Sequence, residues 1–212
     1  MNDPGWLHYL WNCGLLLLPI LGWNLAIARY LPPQFESAVF DHEIPPLVSV
    51  GENVLRMIVF VLPFFMPLDL TTAIQRQGLW LFAVGTGVYF LSWMPLIVAP
   101  QSAWSVSRAG FLAPAYTPLA WLLGLGLIGN RLYVPVPFTP WGYALLACAF
   151  VAMHVTHVNL VYTRAFRRQR LGDAARVDRA AADMLADPFA TTRGLDTQPA
   201  RSRKGDSMSR DR

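Results

Sequence analysis

Five apolar runs, each near the length of a membrane-spanning helix, constrain this chain more than anything else in it. They are Trp6 to Ala28, Leu47 to Leu68, Leu79 to Ala99, Phe111 to Gly129 and Trp141 to Thr163. A helix that crosses a bilayer needs about 20 mostly apolar residues. The first and third runs hold no charged residue, and the second is interrupted by Glu52 and Arg56 near its start. The fourth is shorter and holds Pro114 and Pro118; the fifth holds His154 and His157. Backbone groups in hydrocarbon must bond within their own segment or around a closed barrel. The runs lack the alternation of polar and apolar residues that a barrel strand needs, so the sequence predicts helices. The expected fold is all-α: an integral membrane bundle of five transmembrane helices.

Composition and charge sharpen this reading. Hydrophobic residues make up 54% of the 212 and charged ones 14%, against about 25% charged in an ordinary soluble domain. That excludes a disordered chain, and two cysteines exclude a disulfide scaffold. Residues 1–163 carry a net charge of −1, whereas residues 164–212 carry +5, with twelve basic side chains. Basic charge collected at one end of an apolar body reads as an orientation signal rather than a nucleic-acid surface. The arginine-rich end is expected to stay cytoplasmic, which places the amino terminus outside. Trp6, Trp80 and Trp141, which begin or nearly begin the odd-numbered runs, then fall at the outer interface. The first ten residues hold no Lys or Arg, so the first run reads as a retained span rather than a signal peptide. The expected location is the plasma membrane.

The tail reads as a separate piece. Arg164, Arg167, Arg168 and Arg170 follow the fifth run directly and suit anionic lipid headgroups of the inner leaflet. Asp173 to Ala186 is expected to form a short helix ended by Pro188, and the chain from Phe189 on is polar enough to be disordered. Pro19, Pro63, Pro67 and Pro95 are expected to bend the spans they lie in or near. Gly22/Ala26, Ala83/Gly87, Ala120/Gly124 and Ala144/Cys148/Ala152 have the spacing of small-residue packing faces. No internal repeat is evident, which argues against an inverted-repeat transporter.

Polar residues inside the spans are the candidates for function. Glu52 and Arg56 are one helical turn apart and can pair. His154 and His157 are three apart, on roughly one face. Two histidines offer only part of a metal or haem site, and span five has no carboxylate; interhelical hydrogen bonding is their expected role, and no cofactor is expected. Asn24, Glu52, Asn53, Arg56, Ser92, His157 and Asn159 all map to the inner half, while Asn12 maps to the outer. The loops 29–46 and 100–110 share the inner side and carry Asp41, His42, Glu43, Gln101, Ser102, Ser105, Ser107 and Arg108. Together these are expected to line a cytoplasm-facing polar cavity. Cys13 and Cys148 lie within spans, without a nearby base, and no nucleophile or phosphate-binding motif is present.

The runs Gly51-Glu52-Asn53-Val54-Leu55-Arg56, Tyr89-Phe90-Leu91-Ser92-Trp93, Ser102-Ala103-Trp104-Ser105 and Ala113-Pro114-Ala115-Tyr116-Thr117-Pro118 resemble those of a family of small bacterial multi-pass membrane proteins. The likeness covers roughly residues 10–165 and implies a membrane location but no activity, cofactor or catalytic residue. The leading expectation is a non-enzymatic membrane protein that binds a small or amphipathic ligand or supports a membrane partner. Its rivals are a small transporter component and a membrane-embedded metal- or haem-dependent enzyme using Glu52, His154 and His157. Self-association is left open.

Overall fold

A computed structural model of the chain describes residues 7–31 and 44–186. The readings made above for Trp6, Pro32-Pro33, Asp41, His42, Glu43 and the chain beyond Ala186 lie outside the described residues, as do the side chains of Arg168 and Arg170. The described residues are helical, with no β-strand among them. The chain divides into two units, residues 1–165 and 166–212. Five segments are long and apolar enough to cross a membrane: Cys13–Tyr30, Pro46–Phe65, Ala73–Val98, Arg108–Ile128 and Pro140–Arg167.

The elements are α1 (Leu7–Leu10), α2 (Leu18–Ile27), α3 (Pro46–Val61), α4 (Ala73–Val98), α5 (Ala103–Val106), α6 (Arg108–Tyr116), α7 (Pro118–Ile128) and α8 (Pro140–Ala186). Their bounds depart from the expected runs in ways that have local causes. The first run is not one helix. It breaks at Asn12, where an antiparallel bridge to Pro67 and a bond from Cys13 N to Met66 O (2.9 Å) capture the backbone. Short 3₁₀ turns, Cys13–Leu17 and Ala28–Tyr30, flank α2. The second segment ends in a 3₁₀ turn, Leu62–Phe65, because Pro63 has no N–H to continue the α-helical ladder. The third segment starts six residues before the expected Leu79. Thr72 and Gln75 form a reciprocal capping box there, which satisfies orphan N–H groups of the first turn.

The fourth segment is two helices joined at Thr117, with Pro118 opening the second. It is also the centre of the bundle: 67% of its apolar window is buried, against 33% or less in each other segment. The fifth helix does not stop at Thr163. It runs unbroken to Ala186, so the short helix expected over Asp173 to Ala186 is its continuation.

Glycine brings the third and fourth segments together. A Cβ on Gly85 would lie 2.6 Å from the backbone nitrogen of Trp121, and one on Gly124 would meet the backbone of Phe82. Only a bare backbone allows this crossing. Of the four small-residue faces read from the sequence, Ala120/Gly124 lies in this contact. Gly22 and Gly87 have open space beside them, and Cys148 is exposed.

One end of the first unit is stitched by loops. Leu68 N bonds Trp11 O, Tyr133 N bonds Phe65 O, and the Tyr133 hydroxyl donates to Trp11 O at 2.7 Å. Burial pushes the Tyr133 phenol above its ordinary range, which keeps that donor protonated. Large apolar side chains face outward along the segments: Leu25, Leu47, Trp80, Val98, Trp141 and Leu145 are all at least 69% exposed. A surface this apolar is unsuited to water and suited to hydrocarbon.

Candidate functional site

The fifth helix buries one stripe. Tyr143, Ala147, Phe150, His157 and Val161 are all buried, at spacings of three, four and seven. His154, half-buried, falls on the same stripe. Along α3 the buried residues are Glu52 and Val59, seven apart. The two stripes face one another. The Tyr143 hydroxyl donates to Val59 O at 3.1 Å, and a Cβ on Gly51 would lie 2.6 Å from the Met153 methyl. That close approach puts Glu52 against the two histidines.

The side chain of Glu52 is only 2% exposed. One carboxylate oxygen accepts from Arg56 and from His154 Nδ1, the latter at 2.9 Å. The other lies 2.6 Å from His157 Nδ1. A carboxylate paired with a guanidinium has no hydrogen to give, so each Nδ1 carries the shared hydrogen. The His154 ring stacks on Phe150, 5.6 Å away and 8° from parallel. Arg56 also reaches Asn53 Oδ1 at 3.4 Å. The cluster satisfies a buried carboxylate with three partners from two helices, as burial of a charge requires. Among the described residues, no group of three or more His, Cys, Asp or Glu is arranged to hold a metal ion.

Beside the cluster is a cavity of about 510 Å³, and Arg56 and His154 are both on its wall. The remaining wall is largely aromatic and aliphatic and includes Phe60, Tyr89, Trp93, Phe111, Trp121 and Phe150. Its lining draws on two buried clusters, with Tyr89, Trp121 and Phe150 from one and Phe111, Ala115 and Val158 from the other. Leu21 and Met57, which are 44% and 64% exposed, belong to its lining. A second cavity of about 540 Å³, near Gln75 and Trp141, is lined by no ionisable side chain.

The other residues read from the sequence are placed as follows. Asn24 lines the cavity, and its amide oxygen accepts from the Tyr89 hydroxyl at 2.5 Å. Ser92 is not on the wall; it donates to Tyr89 O at 2.6 Å and lies 3.4 Å from the Thr117 hydroxyl. Asn159 accepts from Arg108 Nε at 2.9 Å and is not on the cavity lining. Ser102 and Ser107 accept from backbone N–H groups of Ser105 and Gly110 and so cap α5 and α6. Ser105 is buried and donates to Pro95 O. These hydroxyls hold helix ends rather than a ligand. Arg164 is half-buried and Arg167 exposed. Cys13 and Cys148 are free thiols.

The aromatic wall was not singled out from the sequence. Two spacings could have shown it: Tyr89 and Trp93, and Phe150 and His154, are each one turn apart. Trp121 gives no such signal, because its neighbours are on other segments. No family model, curated protein or solved structure matches the chain.

Proposed function

We propose that this chain is a non-enzymatic, multi-pass plasma-membrane protein that takes up a small amphipathic ligand into the cavity beside Glu52. The observation that carries this reading is the cavity wall itself: Arg56 and His154, both held by a buried carboxylate, meet a surface of aromatic rings. A pocket that is mostly apolar with a few fixed polar groups is the ordinary form of a small-molecule site. Arg56 is also exposed on the lining, and beside it the exposed Leu21 and Met57 are apolar. A ligand entering past them comes from hydrocarbon, which favours a lipid-soluble molecule over a water-soluble one. The arginine-rich end stays cytoplasmic, and Arg164, Arg167, Arg168 and Arg170 meet anionic headgroups there.

The cavity can be filled genetically. Ala115 is 2% exposed and on its wall. Protein purified in mild detergent, extracted with organic solvent and examined by mass spectrometry should yield one small molecule near one equivalent. The Ala115→Trp variant, if it keeps the helical circular dichroism of the wild type, should yield none. Recovery of only bulk membrane lipid, alike from both proteins, would remove the proposal.

A further inference from the structure

The side chains on the cavity wall that can carry charge are of one sign. Arg56 and His154 line it, and among the described residues no Asp or Glu does. Their counter-charge sits behind them: Glu52 is buried, off the wall, with its oxygens taken by Arg56, His154 and His157. Arg56 spends N–H groups on Glu52 and Asn53 and, being half-exposed, has others to offer. This arrangement repels a cationic head group and accepts an anionic one.

An anion leaves one charge to balance. Glu52 and Arg56 cancel, so with neutral histidines a bound anion makes the cluster negative, in a site where buried charges are poorly screened. A proton on one histidine restores neutrality. Histidine titrates close to neutral pH, and an imidazolium donates from both ring nitrogens, whichever of them held the hydrogen before. Around His154 are Glu52 and Arg56 from α3 and His157 from its own helix. Across the cavity, α2, α4, α6 and α7 add one titratable side chain to the wall, Tyr89, whose hydroxyl donates to Asn24. His157 is buried and off the wall, whereas His154 is 21% exposed and on it. We propose that the cavity takes up an amphiphile with an anionic head together with one proton, which His154 holds. This rests on the reading that the cavity binds an amphipathic molecule; it names the charge of the head group and makes capture depend on pH.

The test uses the full chain in phosphatidylcholine nanodiscs, with empty nanodiscs as the blank. Three probes share one tail: dodecanesulfonate, dodecanol and dodecyltrimethylammonium. The sulfonate keeps its charge throughout, so any pH dependence belongs to the protein. It should bind saturably above the blank and more tightly than the other two. Its affinity should rise by up to about tenfold per unit as the pH falls from about 8 to about 6. His154→Gln should flatten that rise, and His157→Gln should leave it in place. Thermal midpoints are measured for both variants, and the wild-type comparisons stand without them. Phosphatidylglycerol added to the nanodiscs separates the sources of the head: displacement of the sulfonate assigns a membrane lipid, retention assigns a free amphiphile, and either keeps the proposal. Alcohol or ammonium bound as tightly as the sulfonate, and weakened by Ala115→Leu, overturns the anionic head and leaves the cavity standing. Sulfonate binding that ignores pH overturns the linked proton. A pH dependence lost in His157→Gln but kept in His154→Gln overturns its assignment to His154. If no probe shows binding above the blank that Ala115→Leu weakens, the cavity reading falls as well.

Discussion

Glu52 holds three side chains in place, so its removal and the removal of Arg56 are not equivalent. Arg56 is 44% exposed, and a half-exposed ion pair contributes about 1 kcal/mol or less. Glu52 is buried with His157, itself 4% exposed, and loss of one partner strands the other. Glu52→Ala should therefore destabilise the protein by about 3 kcal/mol, and Arg56→Gln by less than half of that. Unfolding midpoints of both variants in one detergent decide it; equal shifts would mean the histidines do not depend on the carboxylate. The Glu52–Arg56 pair was legible in the sequence because it is a property of one helix turn. The Glu52–His157 contact spans 105 residues and depends on how two helices are rotated about their axes. Neither helix encodes the other's rotation in its own pattern.

Within single elements, apolar length was readable and element ends were less so. A run of 20 apolar residues announces itself, but where a helix starts depends on caps and prolines. The capping box at Thr72 and Gln75 extends the third segment over a polar stretch, and the bridge between Asn12 and Pro67 cuts the first one short. Small-residue spacing was a poor guide to contact, since it marks faces that can pack without saying which do. Gly85 and Gly22 make the difference measurable. Gly85→Val would drive a side chain into the Trp121 backbone and should cost about 1–3 kcal/mol. Gly22→Ala adds a methyl into open space on α2 and should stabilise by about 0.5 kcal/mol. Thermal midpoints that move alike for the two would show that the close crossing does not matter.

For the whole molecule, the testable statement is topological. If each of the five apolar segments crosses the membrane once, the loop near Asn130 and the loop near Gln101 lie on opposite faces of it. In a Cys148→Ala background, Asn130→Cys should react with a membrane-impermeant maleimide on intact cells, and Gln101→Cys only after the membrane is opened. The reverse pattern would invert the orientation drawn from the arginines; labelling of both from one side would break the five-crossing arrangement. The number of apolar segments and their helical state followed from local hydropathy and backbone satisfaction, which twenty consecutive residues settle without help from the rest of the chain. Which polar side chains meet, and that a cavity lies beside them, followed from packing. The close glycine crossing of the third and fourth segments and the facing stripes of α3 and α8 set those positions. Contacts between segments far apart in the chain are chosen by fit between surfaces, and fit exists only once the helices are side by side.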